Sequence, residues 1–566
     1  MTWLRLTCVV FLMLVSVPVL AAEKAANSIA PVNGIAMHGA PKYPANATRL
    51  DYVRADAPKG GTLVQSVAGT FDTLNPFTLK GKAAQGLDYV YDRLTARVWD
   101  EPFTLYGLIA KQMIVPDDRS SITFILDERA KFHDDVAITA DDVKFTFEAL
   151  KNFGRPNMRR VYNLVSHVTI ENPRRIRFDL GAGYDRETVM ILAMMPVLPA
   201  HAWKGRTFDE TTLTIPIGSG PYRITKMDAG RKIEYERVKN DWAAGNISRV
   251  GQNNFDRLVF DYYRDDSVAL EAFKAHAVDV RREFDTAKWH TAYRDVSPAI
   301  RLETLPHGRP EWVKGFIYNM RRPPFDDIRI RKALSLAFDA DYINQTLYRG
   351  EGKRITSIFP NTELAAVSTS PVINRRDAML DADKLLQDAG WVVKDGTRVN
   401  AATGKPLTFQ ILLSSAQDEK TALALTNGLK RLGIQANIRT VDAAQFAGAL
   451  ASYDYDVVLH YWINTLSPGS EQMIYWGCDA AKNPGSKNYS GICDPAIDAA
   501  AKATATAKTR ADLVASAKKL DQLVMDSALF TPLFTIGRDY WASWNTLGHP
   551  QKTPLYGSVL ETWWAR

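Results

Sequence analysis

Leu407-Thr408-Phe409-Gln410-Ile411-Leu412-Leu413 opens the stretch that decides the fold class, and it reads as a strand. After it, Ala422, Leu425, Leu429 and Leu432 recur at helical spacing and Gly433 stops the helix. Ile434, Ala436 and Ile438 then alternate as a second strand does. A strand, a helix and a strand in succession favour a parallel sheet, so the class is mixed α/β. Other segments agree. Thr139-Ala140-Asp141-Asp142 resembles a capping box with Asp in the place of Glu. Val143, Phe147 and Leu150 follow it as one buried helical face. Asp494-Pro495 reads as an N-cap followed by proline at the first helical position. Leu513, Ala517, Leu520 and Val524 form another buried stripe, and Gly390 closes a helix as Gly433 does.

The chain has 566 residues, which predicts two to four domains. Hydrophobic residues are 46% and charged residues 23%, a composition that excludes disorder and disulfide-dense miniproteins. Mean hydropathy is -0.20 with one long apolar run, which excludes a polytopic membrane protein. The net charge of +7 is mild for this length. The basic pairs, such as Arg159-Arg160 and Arg281-Arg282, are scattered and read as solvated faces, whereas nucleic-acid binding needs a concentrated patch. No repeat, low-complexity tract or long linker is present.

Arg5 is the sole charge before Glu23, and an apolar stretch from Val9 to Leu20 ends in Ala21-Ala22. This pattern predicts a cleaved signal peptide over residues 1–22. Cys8 falls too early in it for a lipid-modified cysteine, so no lipid anchor is expected. Cys478 and Cys493 remain, and an isolated pair in an oxidising compartment predicts a disulfide. The residues between them are polar and turn-rich, and would be floppy without that staple.

The nine histidines are dispersed, with no spacing of a zinc hydrolase. No nucleophile elbow, phosphate loop or dinucleotide fingerprint appears, so neither catalytic residues nor a metal or cofactor is expected. Aromatic residues cluster instead with turn residues: Tyr461-Trp462, Tyr475-Trp476, Tyr540-Trp541, Trp544 and Trp563-Trp564. Amphipathic aromatics on loops suit a cleft that grips a ligand by stacking; core between lobes is the competing reading.

Four stretches, in order, carry a resemblance. They are Gly69-Thr70-Phe71-Asp72-Thr73-Leu74-Asn75-Pro76; Lys131-Phe132-His133-Asp134-Asp135 through Thr146; Ile217-Gly218-Ser219-Gly220-Pro221-Tyr222; and Asn319 with Pro324-Phe325-Asp326 through Leu334. Together they resemble bacterial extracellular solute-binding protein family 5, the oligopeptide and dipeptide binders of ABC importers. Further marks are similar to its Yej-type peptide-binding subgroup: His38-Gly39-Ala40-Pro41-Lys42-Tyr43, Asn253-Asn254-Phe255-Asp256 and Leu466-Ser467-Pro468-Gly469-Ser470-Glu471-Gln472. Asp135 departs from the family's glycine, yet Asp tolerates positive φ. The most recognisable motifs read as structural: a turn before a capped helix, flexible backbone at a crossing around Gly218-Ser219-Gly220, and a helix with Ile330, Leu334 and Phe338 in the core.

The resemblance implies a two-lobed periplasmic-binding-protein fold (type II, cluster C) with three interleaved segments. The expected division is 23–92 (first lobe), 93–210 (an extra small domain), 211–305 (first lobe again), 306–530 (the other lobe) and 531–566 (first lobe, last part). It implies a non-enzymatic, monomeric periplasmic protein that closes on a peptide and delivers it to an inner-membrane ABC permease with its ATPase. Phe71, Asp72 and Asn75 are expected at the inner wall of the cleft, Tyr461, Trp462 and Asn464 within it, and Tyr475 and Trp476 near the rim. In the family an aspartate following the Tyr/Trp strand pairs with the peptide amine. Asn464 stands in that region, so a modified peptide, a peptide held by other acids, or a cell-wall fragment carrying a peptide are all open. An oligosaccharide binder, a secreted hydrolase and a chaperone or sensor of the same fold are the alternatives.

Overall fold

The computed structural model describes residues 29–366 and 374–566; the expected signal peptide and Cys8 lie outside them. Twelve strands build the two large sheets. They are β1 (Thr62–Ala68), β2 (Tyr222–Asp228), β3 (Lys232–Arg237), β4 (Arg257–Tyr263), β5 (Val280–Glu283), β6 (Ile300–Pro306), β7 (Val313–Tyr318), β8 (Thr408–Leu413), β9 (Gln435–Thr440), β10 (Val457–Trp462), β11 (Phe530–Pro532) and β12 (Arg538–Trp544). The first sheet has seven strands in the order β6-β12-β5-β1-β4-β3-β2. Its strands come from three separate stretches of chain. The second has five, in the order β9-β8-β10-β7-β11.

The deciding stretch folds as its periodicity dictates. β8 and β9 pair in parallel and are joined by helix α3 (Glu419–Arg431), counting α1 (Ala140–Phe153) and α2 (Arg186–Ala193) before it. Ala422, Leu425 and Leu429 are fully buried, and Gly433 takes φ 76° just past the helix, where a β-branched residue would be strained. The second sheet is covered on both faces. Ile411, Leu413, Val457 and Leu459 join one apolar cluster. Leu412, Val458 and Trp462 join another behind them. Strands buried on both faces read as continuous apolar runs, which is why Ile411-Leu412-Leu413 shows no alternation.

The first sheet shares one core with residues 93–210. A four-stranded antiparallel sheet (strands Ala110–Ile114, Ser121–Leu126, Val165–Asn172, Arg175–Leu180) and α1 contribute Ile122, Phe124, Val143 and Phe178 to the cluster that holds Leu63, Tyr235 and Phe260. The three clusters are disjoint between the lobes: residues 313–534 supply two of them, and the first sheet with its neighbour supplies the third. The protein is therefore two-lobed, each lobe with its own apolar interior.

The recognised motifs are structural. The Thr139 N–H donates to Asp142 Oδ2 (2.9 Å), completing the capping box of α1. Asp135 adopts φ 65°, the left-handed turn the sequence required of it. The glycines of Gly218-Ser219-Gly220 serve close approach rather than flexibility, a correction to the sequence reading. A β-carbon at Gly218 would stand 2.0 Å from the Val90 carbonyl oxygen, and one at Gly220 would stand 2.3 Å from that of Tyr89. The backbone N–H groups of Ser219 and Gly220 both donate to Val90 O (3.0 and 2.8 Å).

Cys478 and Cys493 are joined, as expected. The loop between them is not held by sulfur alone. The Arg321 guanidinium donates to Ala481 O (2.7 Å) and Asn488 O (3.1 Å), and the Trp462 indole donates to Lys487 O (3.0 Å). Asn488 is fully buried and bridges Gly477 O and Ile492 O. Reduction should lower the melting temperature through roughly 3 kcal/mol of released loop entropy, while far-ultraviolet circular dichroism stays unchanged. Two free thiols in the native protein would refute the link.

Candidate functional site

Strand direction locates the site. β1 runs parallel to both β4 and β5, so Ala68, Tyr263 and Glu283 end at one edge of the first sheet. β12 is antiparallel to β5 and β6, so β6 also leaves by that edge, at Pro306. In the second sheet β7 is antiparallel to β10, and β10 is parallel to β8. The carboxyl ends of β8 and β10 therefore lie where β7 enters from the first lobe. The two carboxyl edges face each other across two crossings, residues 307–312 and 533–537. Crevices outside the carboxyl ends of such strands are where α/β folds bind ligands.

The crossings are tied together. Glu311 accepts the backbone N–H groups of Ile536 (3.0 Å) and Gly537 (2.8 Å) and the Asn361 amide (2.9 Å). Behind them sits Asp539, 4% exposed, which accepts from Arg309 (2.9 Å) and Arg282 (2.5 Å). Burial works against its ionisation, but the Arg309 bond and the Arg282 charge hold its carboxyl below the usual range. Burial, then the Arg309 charge, pushes His307 down to about 4, so it is neutral at pH 7.

Exposed aromatics gather at these edges. Trp312 is 56% exposed and stacks on Tyr461, with centroids 4.4 Å apart and rings 13° from parallel. Phe284, just past β5, is 78% exposed with the Arg282 guanidinium 4.8 Å from its ring. Ile463 follows β10 and is also exposed. Exposed large apolar side chains in one place are informative where single ones are not. Sequence does not single out Trp312 and Phe284, because each stands alone among turn residues without a partner aromatic.

The eight sequence candidates divide. Asp72 and Tyr461 lie at the carboxyl edges with side chains open to solvent, fully and partly. Phe71 is 2% exposed and packs on Tyr262. Asn75 is buried, donating to Phe208 O (2.7 Å) and accepting from Phe77 N (3.1 Å). Trp462 and Trp476 are core residues packed on each other, with centroids 4.8 Å apart. Tyr475 is buried and donates to Ile463 O (2.9 Å). The Asn464 amide is committed within its lobe: it donates to Ile358 O (2.5 Å) and accepts from Gln472 (2.8 Å). Alternation along β10 separates Tyr461 from Trp462, which adjacency in sequence does not show.

Charged groups of the two lobes come near each other at two places. Near the crossings Glu351 meets His290 (2.6 Å) and Tyr540 (2.5 Å) of the first lobe. At the far side Glu187 of α2 faces Glu471. A β-carbon at Gly469 would lie 3.5 Å from a Glu471 carboxylate oxygen and 3.6 Å from one of Glu187. Burial, then the Glu471 and Asp185 charges, raise Glu187 to about 7, against the opposing Arg160. Glu471 is raised as well, foremost by burial. Among the described residues no group of three His, Cys, Asp or Glu could hold a metal.

A crevice between the carboxyl edges of two lobes suits the capture of a small solute. Residues 104–484 match the bacterial extracellular solute-binding proteins, family 5 Middle. Three relatives match nearly end to end. A binding protein of Brucella suis biovar 1 is 37% identical over 96% of this chain and 95% of its own. The probable peptide-binding protein YejA of Agrobacterium fabrum is 36% identical over 94% of each. The peptidoglycan-binding protein YepA of the same organism is 33% identical over 94% and 95%. The chain belongs to solute-binding protein family 5. Solved structures share its fold: AppA of Bacillus subtilis with a nonapeptide (TM-score 0.66, 19% identity, 90% of this chain and 100% of that one) and NikA of Brucella suis with Fe(III)-EDTA (0.72, 18%, 89% and 99%).

Trp462→Ala should cost about 3–5 kcal/mol of stability in urea denaturation. Trp312→Ala should leave stability nearly unchanged but lower solute affinity by roughly 5-fold; equal affinity would remove Trp312 from the site. Because the Glu187 and Glu471 carboxyls are raised, the stability they allow is complete below about pH 4.5 and is lost as pH climbs to about 7. Glu187→Gln should therefore melt higher than wild type at pH 8 and together with it at pH 4. Coincident melting curves at both would discount the pair.

Proposed function

We propose that this protein is the periplasmic solute-binding component of an ABC importer, that its solute is a peptide, and that it works as a monomer without a cofactor. The observation that carries the reading is the pair of carboxyl edges facing across two short crossings, each edge bearing exposed aromatic side chains. The YejA relative's name and the nonapeptide held by AppA support a peptide. Of the described residues, 29–92, 211–305 and 538–566 are assigned to one lobe, 93–210 to a subdomain packed on it, and 306–366 with 374–532 to the other, which moves the expected last boundary from 530 to 532 because β11 is a strand of the second sheet. Tyr461 and Asp72 meet the ligand, while Phe71, Asn75, Trp462, Asn464, Tyr475 and Trp476 stiffen the walls behind them.

The mechanism is selection of the shut form. A ligand that touches both edges only when they are closed favours closure by that differential affinity. The shut protein docks on a membrane permease driven by an ATPase and releases its ligand unaltered. No described helix is long and apolar enough to cross a membrane. A cell-wall fragment carrying a peptide is the second reading, favoured by the YepA relative's name.

Small-angle scattering should show contraction when short peptides or muropeptides are added, and mass spectrometry should return the ligand intact. Invariant scattering with every ligand offered, or a cleaved product, would defeat the proposal.

A further inference from the structure

Glu187 and Glu471 come from opposite sides of the molecule. Glu187 stands in the first turn of α2, on the subdomain beside the first lobe, and Glu471 follows β10 in the second lobe. The backbone at Gly469 lies between them. The point where a β-carbon on Gly469 would sit is 3.5 Å from a Glu471 oxygen, 3.6 Å from a Glu187 oxygen and 3.6 Å from the Met37 methyl. Met37 is buried, and both glutamates are partly buried. The seam is closed here by two acids and one apolar side chain.

Compensation is one-sided. Glu471 accepts from its own lobe, from the Gly469 N–H (2.9 Å) and the Gln472 amide (3.1 Å). The Glu187 carboxyl has no bonded partner among the described residues; burial and neighbouring charges alone act on it. Asp185 caps α2 through the N–H groups of Glu187 and Thr188 (3.0 Å each), adding a third acid. The cations nearby are engaged elsewhere or distant. Arg186 reaches Met37 O (3.5 Å), and Arg119 is spent on Arg186 O (2.8 Å) and Ala36 O (2.5 Å). Arg160, on the helix Pro156–Tyr162, acts on Glu187 by charge without pairing. Burial, then the charges of the neighbouring arginines, pushes His38 down to about 4, so it is neutral at pH 7. From the second lobe, Tyr475 stands near Glu471 but donates to Ile463 O (2.9 Å). Burial, then the facing Glu471 charge, puts Glu187 at about 7, and Glu471 is raised too, foremost by burial.

We propose that Glu187 and Glu471 are a proton-operated latch between the lobes: a proton held between them keeps the molecule shut, and its loss drives the lobes apart. Two ionised carboxyls in a seam short of water repel each other and are poorly solvated. A protonated carboxyl is instead a donor, with an ionised carboxyl facing it. In the open form water reaches both, and each ionises in its ordinary range. The shut form therefore binds more protons than the open one. Its advantage is complete below about pH 4.5 and is lost as pH climbs through about 7. The receptor grips in acid and loosens toward neutrality. This rests on the shutting motion proposed above and not on which solute is held. One other titratable contact joins the lobes, His290 with Glu351 (2.6 Å) beside the crossings. Protonation of His290 would also favour closure, so the test separates the two.

The test uses the intact protein without ligand, carrying nitroxide labels at Leu79→Cys and Leu380→Cys, exposed positions on the first and second lobes. Pulsed electron paramagnetic resonance reads shut and open populations as two distances. In this parent the shut-to-open ratio should fall at least about 10-fold between about pH 4.5 and about pH 8. With Glu187→Gln added, the ratio should stay level at the value the parent shows in acid. Glu471→Gln should behave alike, and it carries the test if Glu187→Gln lacks a native circular dichroism spectrum. His290→Gln should keep the fall. A parent ratio that ignores pH, or a fall that survives in a folded glutamine variant of either glutamate, would overturn the latch. A fall abolished by His290→Gln would overturn it too, by assigning the response to the contact with Glu351. Contraction driven by added peptide would stand in each case, so the proposed function is tested apart from the latch.

Discussion

The apolar faces of the second sheet are covered within its own lobe, and the first sheet shares its core with the subdomain beside it. What is left between the lobes is strand ends, two backbone crossings, polar side chains and the exposed aromatics of the two edges. Separating polar contacts costs far less than separating packed cores, because water replaces the lost partners. Opening and shutting therefore leave both interiors undisturbed. The site, the tied crossings and the facing carboxyls at Glu187 and Glu471 all follow from that division.

The division also sets what kind of contact can matter. Glu311 binds backbone N–H groups on the neighbouring crossing, so the two crossings move as a pair. Asp539 stands beneath them as the counter-charge to two arginines, anchoring the first lobe's end of the hinge. Glu351 lies beside these fixed points, bonded to Tyr540, whereas Glu471 lies on the surface that faces Glu187. Ionisable groups on moving surfaces feel a different environment in each state, which is how pH and ligand charge reach the equilibrium.

Fold class is legible in the chain because strand and helix periodicities are local. The unit from Leu407 to Ile438, the capped helix after Thr139 and the stripe through Leu513 all form as they read. The site is less legible. Tyr461 and Trp462 are neighbours in sequence, yet one stacks on Trp312 in the open and the other seals a core. Their assignment depends on which face of β10 meets helices arriving from elsewhere, and no local pattern encodes that. Asn464 makes a poor amine partner by residue type alone, and the fold adds a second reason: its amide is consumed by Ile358 and Gln472. Gly218 and Gly220 stand out in the sequence, though the need for them comes from the chain at Tyr89 and Val90, far away along it.

β12 is built from residues 538–544 and is inserted between β5 and β6, inside the first sheet rather than at its edge. A ribosome delivers that segment only after the whole of the second lobe. Until it arrives, the sheet has a gap one strand wide and unpaired backbone on both sides of it. The first lobe is thus unable to complete itself early, while the second, encoded by one continuous run, is free to do so. Such an order keeps half the molecule pliable while the other half is being made.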